Sequence, residues 1–251
     1  MHLLICNDDG IHAAGITVLA IALRNAGHQV TVSAPDRERS CSGHALTMHE
    51  ALFAHAVDMA PGINAWAVSG TPADCAKLGI SELAQGPVDL VVSGINHGPN
   101  LGSDTLYSGT AAAAREAMFM GYPALAVSLG GPGETGFDAC ARITVAVVDR
   151  MQKQGLNGKI MYNLNVPALP EDKILGIRRA KMGMKRYTGG YEKLTSPFGK
   201  THYWLSSWPD KTVTDEPDSD VALLRAGYAT LTPLGWSMMD EETYNQMNDM
   251  E

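Results

Sequence analysis

The stretch that most restricts the fold is residues 2–34, which read as strand, helix and strand. Residues 2–6 (HLLIC) form a short apolar run that suits a buried strand. Residues 15–27 (GITVLAIALRNAG) carry apolar side chains at helical spacing and end on Gly27, a natural helix terminator. Residues 29–34 (QVTVSA) are the second strand. Two strands joined by one helix run parallel through a right-handed crossover. The alternation continues, with strands at 64–69, 88–93, 124–129 and 159–165 and helices at 71–84, 109–120 and 137–154. Thr71 and Pro72 open the helix at 71–84 as N-cap and first helical residue. The order predicts an α/β fold, a doubly wound, mostly parallel sheet.

The alternation fails after about residue 175. Residues 177–206 are rich in Arg, Lys, Tyr and Gly, with turn signals at Gly189-Gly190 and at Ser196–Gly199. They predict an extended hairpin arm, the kind of element that packs on a second protomer. A short helix is expected at 220–227, a last strand at 228–232 and a solvated acidic tail. The chain reads as one continuous domain, with an α/β catalytic core over 1–175 and an arm and tail over 176–251 that serve oligomerisation. A length of 251 residues supports one sizeable core, and 45% hydrophobic with 18% charged residues is an ordinary globular balance. The net charge of −8 argues against a broad nucleic-acid surface. No apolar run reaches membrane-spanning length. The four scattered cysteines form no C-x-x-C, and no targeting segment precedes the first strand, so reduced thiols in a cytoplasmic protein are expected.

In open α/β sheets ligands bind beyond the carboxyl ends of the strands. Three polar loops follow such ends: "NDDG" at 7–10, "APDRERSCSGHALT" at 34–47 and "GINHGPNLGSDTLYSGT" at 94–110. Adjacent Asp8 and Asp9 at the end of a buried strand repel, and a hard divalent cation answers that repulsion better than a helix cap does. Mg²⁺ takes oxygen ligands. Ser40 or Ser42 and Asn96 or Asn100 are candidate neutral donors, and the lack of Cys/His clusters argues against zinc. Ser108, Gly109 and Thr110 stand where a helix begins, a place suited to anions. Cation and helix N-terminus together describe a phosphate site. Arg37 and Arg39 are phosphate contacts or surface charges, and His44 is an acid/base or a structural histidine. Asp104 is expected to orient loop donors, while His12, His28, His49 and His55 have no assignment.

The three loops resemble those of the SurE survival-protein family, in the same order and at similar spacing, and "VSGTPADC" at 68–75 and "GYATLTPL" at 227–234 extend the resemblance over nearly the whole chain. It implies a Rossmann-like fold and a metal-dependent phosphomonoesterase, a 5′-nucleotidase acting on nucleoside 5′- and 3′-monophosphates and also on short polyphosphate. It implies one Mg²⁺ or Mn²⁺ per subunit held by Asp8, Asp9, Ser40 and Asn96, with phosphate on Ser108, Gly109 and Thr110. Gly43, His44, Asn100 and Asp104 are then supporting residues. It further implies a homodimer or homotetramer joined by the C-terminal arm. Two departures stand out. Cys41 replaces a smaller residue, and Asp218-Ser219 replace a Gly-Thr pair while Asp220 is retained.

The expected mechanism has water attack in line with Asp8 as its partner. A haloacid-dehalogenase-like phosphatase would need D-x-D, and a dinucleotide-binding oxidoreductase would need G-x-G-x-x-G; "NDDGIHAAG" supplies neither. A non-catalytic nucleotide sensor is the remaining rival.

Overall fold

The computed structural model describes residues 1–131, 135–210 and 212–247. Its centre is a nine-stranded sheet. In chain order the strands are β1 (His2–Cys6), β2 (Gln29–Pro35), β3 (Ala54–Val57), β4 (Ile63–Val68), β5 (Leu90–His97), β6 (Ala124–Gly130), β7 (Met161–Pro167) and β8 (Ile177–Arg179), with β11 (Ala229–Leu234) further on. Across the sheet they run β3-β4-β2-β1-β5-β6-β7-β11-β8. Strand β1 pairs in parallel with both β2 and β5. The chain therefore winds outward from β1 in one direction through β2 and β4, then returns to β5 and winds the other way. This is the doubly wound arrangement expected from the alternation, and its reversal point lies between β1 and β5, where such sheets leave a crevice at their carboxyl ends.

Helices cover both faces. Helix α1 (Ala14–Asn25) and helix α4 (Phe137–Gln154) pack on one face, α2 (Pro72–Leu78) and α3 (Gly109–Phe119) on the other. Strand and helix each bury an apolar face this way, which is why the strands read as near-continuous apolar runs. Thr71 and Asp74 close a reciprocal capping box on α2, with Pro72 at its start, as the sequence predicts. Ser108 caps α3 by accepting from Ala111 N–H at 3.0 Å. Ala111–Ala114 are fully buried, so small side chains let α3 lie close to the sheet. Among the described residues no helix is long and apolar enough to cross a membrane.

An antiparallel edge strand, β3, pairs with β4; it is half exposed, so it shows no clear alternation. One expectation needs correction: Gly189 and Gly190 are not a turn. They lie inside β9 (Tyr187–Thr195), opposite Ser207 and Ser206 of β10 (Thr201–Pro209). The turn is at Ser196–Gly199, where Ser196 N–H bonds Lys200 O at 2.9 Å. The last strand expected at 228–232 lies in the main sheet as β11. Strand β11 pairs antiparallel with β7, and β8 pairs with β11, so both complete the main sheet. The short α5 (Asp220–Arg225) precedes β11, and the acidic tail carries an exposed helix, α6 (Glu241–Gln246), capped by Asp240.

Candidate active site

The acid pair sits at the reversal point. Asn7, fully buried, holds the turn after β1: its Nδ2 donates to Gly10 O at 2.9 Å, and Gly10 N–H donates to its Oδ1 at 3.2 Å. Asp8 is 5% exposed and accepts the Thr110 hydroxyl on Oδ1. Helix α3 presses directly on it. A Cβ on Gly109 would stand 2.7 Å from Asp8 Cβ and 2.9 Å from its Oδ2, so only glycine fits there. Asp9 Oδ2 accepts from His97 N–H at 3.1 Å, and Asp8 O accepts from Arg39 N–H at 2.8 Å. The backbones of the second and third loops are thus both tied to the acid pair.

Electrostatics make these acids unusual. Burial pushes the Asp8 carboxyl up to about 6; the Thr110 hydrogen bond opposes this and the neighbouring Asp9 charge adds to it. Asp9 is also raised, by burial first and then by Glu38, against the His97 N–H. Among the described residues no Lys or Arg forms an ion pair with either acid. Nor do three His, Cys, Asp or Glu side chains gather anywhere among those residues. Any cation held here would rely on two carboxylates and neutral oxygens, a donor set that fits a hard divalent ion.

The neutral candidates divide. Ser40 is exposed and donates to Glu38 Oε1 at 2.6 Å, which leaves its lone pairs free to accept. Asn96 at the end of β5 donates Nδ2 to Gly98 O at 2.8 Å, which leaves its Oδ1. Ser42 Oγ is buried without a partner. Asn100 is buried and turned away, its Nδ2 on Ser128 Oγ at 2.9 Å and its backbone held by Asn163 and Asn165 of β7. Asp104 accepts Lys185 Nζ and Tyr187 O–H, which ties the third loop to the root of the hairpin. His44 bonds Glu116 Oε2 at 2.9 Å and stacks on Phe119, so it faces the middle of α3. Gly43 N–H joins the second loop to the third through Tyr107 O at 3.0 Å. Arg39 turns to Ser69 O at 2.7 Å.

Several contributors escaped sequence reading. Glu116, 5% exposed, also accepts Lys77 Nζ at 2.6 Å and anchors His44. Asp74 accepts Thr47 N–H at 3.0 Å in addition to its capping role, which fastens the second loop to α2. Only the x-x-D of the capping box hinted at Asp74; the partners of Glu116 are too distant in sequence to be inferred. Cys41 has φ +55, a left-handed position where a side chain is costly. Ser219 caps α5 from Ala222 N–H at 3.1 Å, the part a threonine plays equally well. Asp220, fully buried, accepts Gly102 N–H at 2.8 Å and Gly183 N–H at 2.9 Å.

Fold and rim together define a doubly wound α/β protein whose acidic, oxygen-rich rim lies next to a helix N-terminus. The family model described as survival protein SurE matches residues 3–189, and the chain belongs to the SurE family. It is similar to the 5′-nucleotidase SurE of Gloeobacter violaceus, 47% identical over 96% of this chain and 92% of that one. The 5′-nucleotidase SurE of Synechococcus elongatus is 40% identical, over 100% and 99% of the two chains. The crystal structure of the SurE protein from Aquifex aeolicus aligns with a TM-score of 0.83 at 33% identity, covering 100% of this chain and 99% of that one.

Proposed function

We propose that this chain is a 5′-nucleotidase, a phosphomonoesterase that releases phosphate from nucleoside 5′-monophosphates, with 3′-monophosphates and short polyphosphate as further substrates. The observation that carries this reading is the adjacent pair of buried Asp8 and half-buried Asp9, with Asp8 packed against the N-terminus of α3. Asp8, Asp9, Ser40 and Asn96 would hold one Mg²⁺ or Mn²⁺, which when bound polarises a phosphate oxygen and offsets the repulsion between acids and substrate. Ser108, Gly109 and Thr110 form the first turn of α3, whose N–H groups and dipole favour the phosphate dianion. The Thr110 hydroxyl engages Asp8 Oδ1, so in this reading Thr110 orients the acid as well as lining the cradle. Asp8 Oδ2 remains to accept the proton of the attacking water. Water attacks in line, the P–O bond to the nucleoside breaks, the departing oxygen takes up a proton equivalent to the one Asp8 accepted, and nucleoside and phosphate leave.

The exposed aromatic hairpin supports assembly of two or four subunits through the arm, and four free cysteines suit a cytoplasmic setting. The deciding experiment measures phosphate release from 5′- and 3′-nucleotides and tripolyphosphate with Mg²⁺, Mn²⁺ or EDTA. Release with metal that is abolished by EDTA and by Asp8→Asn is expected. Nucleotide binding without release from any substrate would make the protein a sensor instead.

A further inference from the structure

Strand β7 carries two fully buried asparagines, Asn163 and Asn165, on the face that carries Met161 at its apolar end. A buried amide costs free energy unless its groups are paired, so two in one strand call for a specific reason. Their partner is the backbone of a single residue of the third loop, Asn100. Asn165 Oδ1 accepts Asn100 N–H at 2.8 Å, and Asn165 Nδ2 donates to Asn100 O at 3.0 Å. Asn163 Nδ2 donates to the same carbonyl at 2.8 Å. The Asn165 side chain thus pairs with Asn100 as a neighbouring strand would, through N–H and C=O together. Ser128 of β6 completes the hold by accepting Asn100 Nδ2 at 2.9 Å.

The position of this clamp matters more than its strength. Sheet register places Asn96, Ser128 and Asn165 in one row across β5, β6 and β7. The clamped backbone lies on the loop between Asn96, next to the His97 N–H that bonds Asp9, and Ser108, which caps α3. A buried loop needs partners for its backbone groups, and here they come from side chains two strands away. Both ends of the loop carry chemistry, so a shift at Asn100 moves both.

We propose that Asn163 and Asn165 are positioning residues of the active site, which fix the loop joining Asn96 to Ser108 by clamping the Asn100 backbone. This rests on the reading of the rim as a phosphatase site. The Asn100 side chain is then secondary, because the clamp grips its backbone. Misplacing catalytic groups by about 1 Å costs on the order of 100-fold in rate, and losing an outer partner of a metal ligand costs about 10–100-fold in affinity.

The test uses the full chain with 5′-AMP and Mn²⁺ and compares Asn165→Ala, Asn163→Ala, Asn100→Ala and a remote core truncation, Leu23→Ala on α1. Asn165→Ala should lower kcat about 10–100-fold with KM little changed. It should weaken Mn²⁺ binding, read from the resonance signal of free Mn²⁺, and speed amide exchange over residues 97–106. Asn100→Ala should do less on all three, and Leu23→Ala should lower the melting temperature without touching them. Equal kcat and Mn²⁺ affinity in Asn165→Ala and Leu23→Ala would overturn the proposal. So would greater damage from Asn100→Ala than from Asn165→Ala, which would make the Asn100 side chain the functional group. If Asn165→Ala does not fold, Asn163→Ala decides, because Asn165 still holds the Asn100 carbonyl. A smaller kcat loss with faster exchange at 97–106 supports the clamp; no change in either refutes it. Should the wild type release no phosphate at all, the phosphatase reading fails, and exchange and Mn²⁺ binding alone then judge the clamp.

Discussion

Asp8 is a carboxylate that folding makes harder to ionise, and the consequence is a dependence of stability on pH. Its carboxyl moves from 3.8 to about 6, chiefly through burial. A raised acid favours the protonated native state, so the metal-free protein loses stability as pH climbs from about 4 through about 6. A shift of roughly two units corresponds to about 3 kcal/mol, fully lost above about pH 6. Asp8→Asn removes the charge and keeps an oxygen for Thr110. In EDTA at pH 8 the variant should therefore melt higher than wild type, by about 2–4 °C for each kcal/mol, while at pH 4 the two should coincide. Adding Mg²⁺ or Mn²⁺ should raise only the wild type. An Asp8→Asn protein no more stable than wild type in EDTA at pH 8 would show that burial of this charge costs nothing. His28 acts in the opposite direction along the pH scale, though burial is again the cause. Both its ring nitrogens are buried without partners and its pKa is lowered, first by burial. The neutral ring is favoured in the fold, so stability falls as pH drops below about 6.5. His28→Leu should flatten that acid limb of the melting curve. The acid pair was legible because two adjacent charges after an apolar strand demand an answer. Thr110 was read only as a phosphate holder, since its bond to Asp8 spans 102 positions and leaves no local pattern.

Helix α3 shows how one element serves both packing and chemistry. Its first turn lies against Asp8, and Gly109 is the residue that permits the approach. Gly109→Ala improves helix propensity by up to about 1 kcal/mol, so the variant should fold with full helix content. The new methyl collides with Asp8 Cβ and Oδ2, and a displacement of that size should lower kcat by roughly 100-fold. Circular dichroism together with phosphate release reads both quantities, and near-normal turnover would mean that Asp8 has room to move. The element order itself was legible, because strand and helix periods differ and Thr71-Pro72 and Ser108-Gly109 punctuate the starts. The misread turn and the unread strand share a physical cause. Gly189-Gly190 look like a turn in isolation, but cross-strand pairing with Ser206 and Ser207 carries them through as strand. Strand β3 has no buried face to impose a pattern.

At the scale of the whole molecule the hairpin is the unresolved surface. Its two strands pair only with each other, and a lone two-stranded hairpin is marginal in water. Alternation places Tyr191, Leu205 and Tyr203 on one face and Trp204 and Trp208 on the other. Trp204, Leu205, Trp208 and Tyr191 are each 65% exposed or more. Aromatic side chains displayed on both faces of a slender element need cover, and exchange with a second copy of the chain would cover both faces. Sedimentation should find the wild type as a dimer or tetramer. Trp204→Ser and Trp208→Ser should each weaken assembly by roughly 30-fold if they behave as interface anchors worth about 2 kcal/mol. The root of the same hairpin reaches the third loop, because Tyr187 O–H bonds Asp104 Oδ2 at 2.9 Å and Lys185 pairs with the same acid. Burial works against the Lys185 ammonium, yet its hydrogen bonds to Asp104 and Tyr187 outweigh it and keep the pKa above the ordinary value. Assembly and catalysis are thereby separable by mutation. Tyr187→Phe deletes one hydroxyl at Asp104 and keeps the ring, so it should lower turnover while the sedimentation coefficient stays put. The tryptophan variants should do the reverse at protein concentrations where the hairpin root stays folded. If Tyr187→Phe dissociates the oligomer as thoroughly as the tryptophan changes do, the root and the tip form one interface and the link to Asp104 has no separate role.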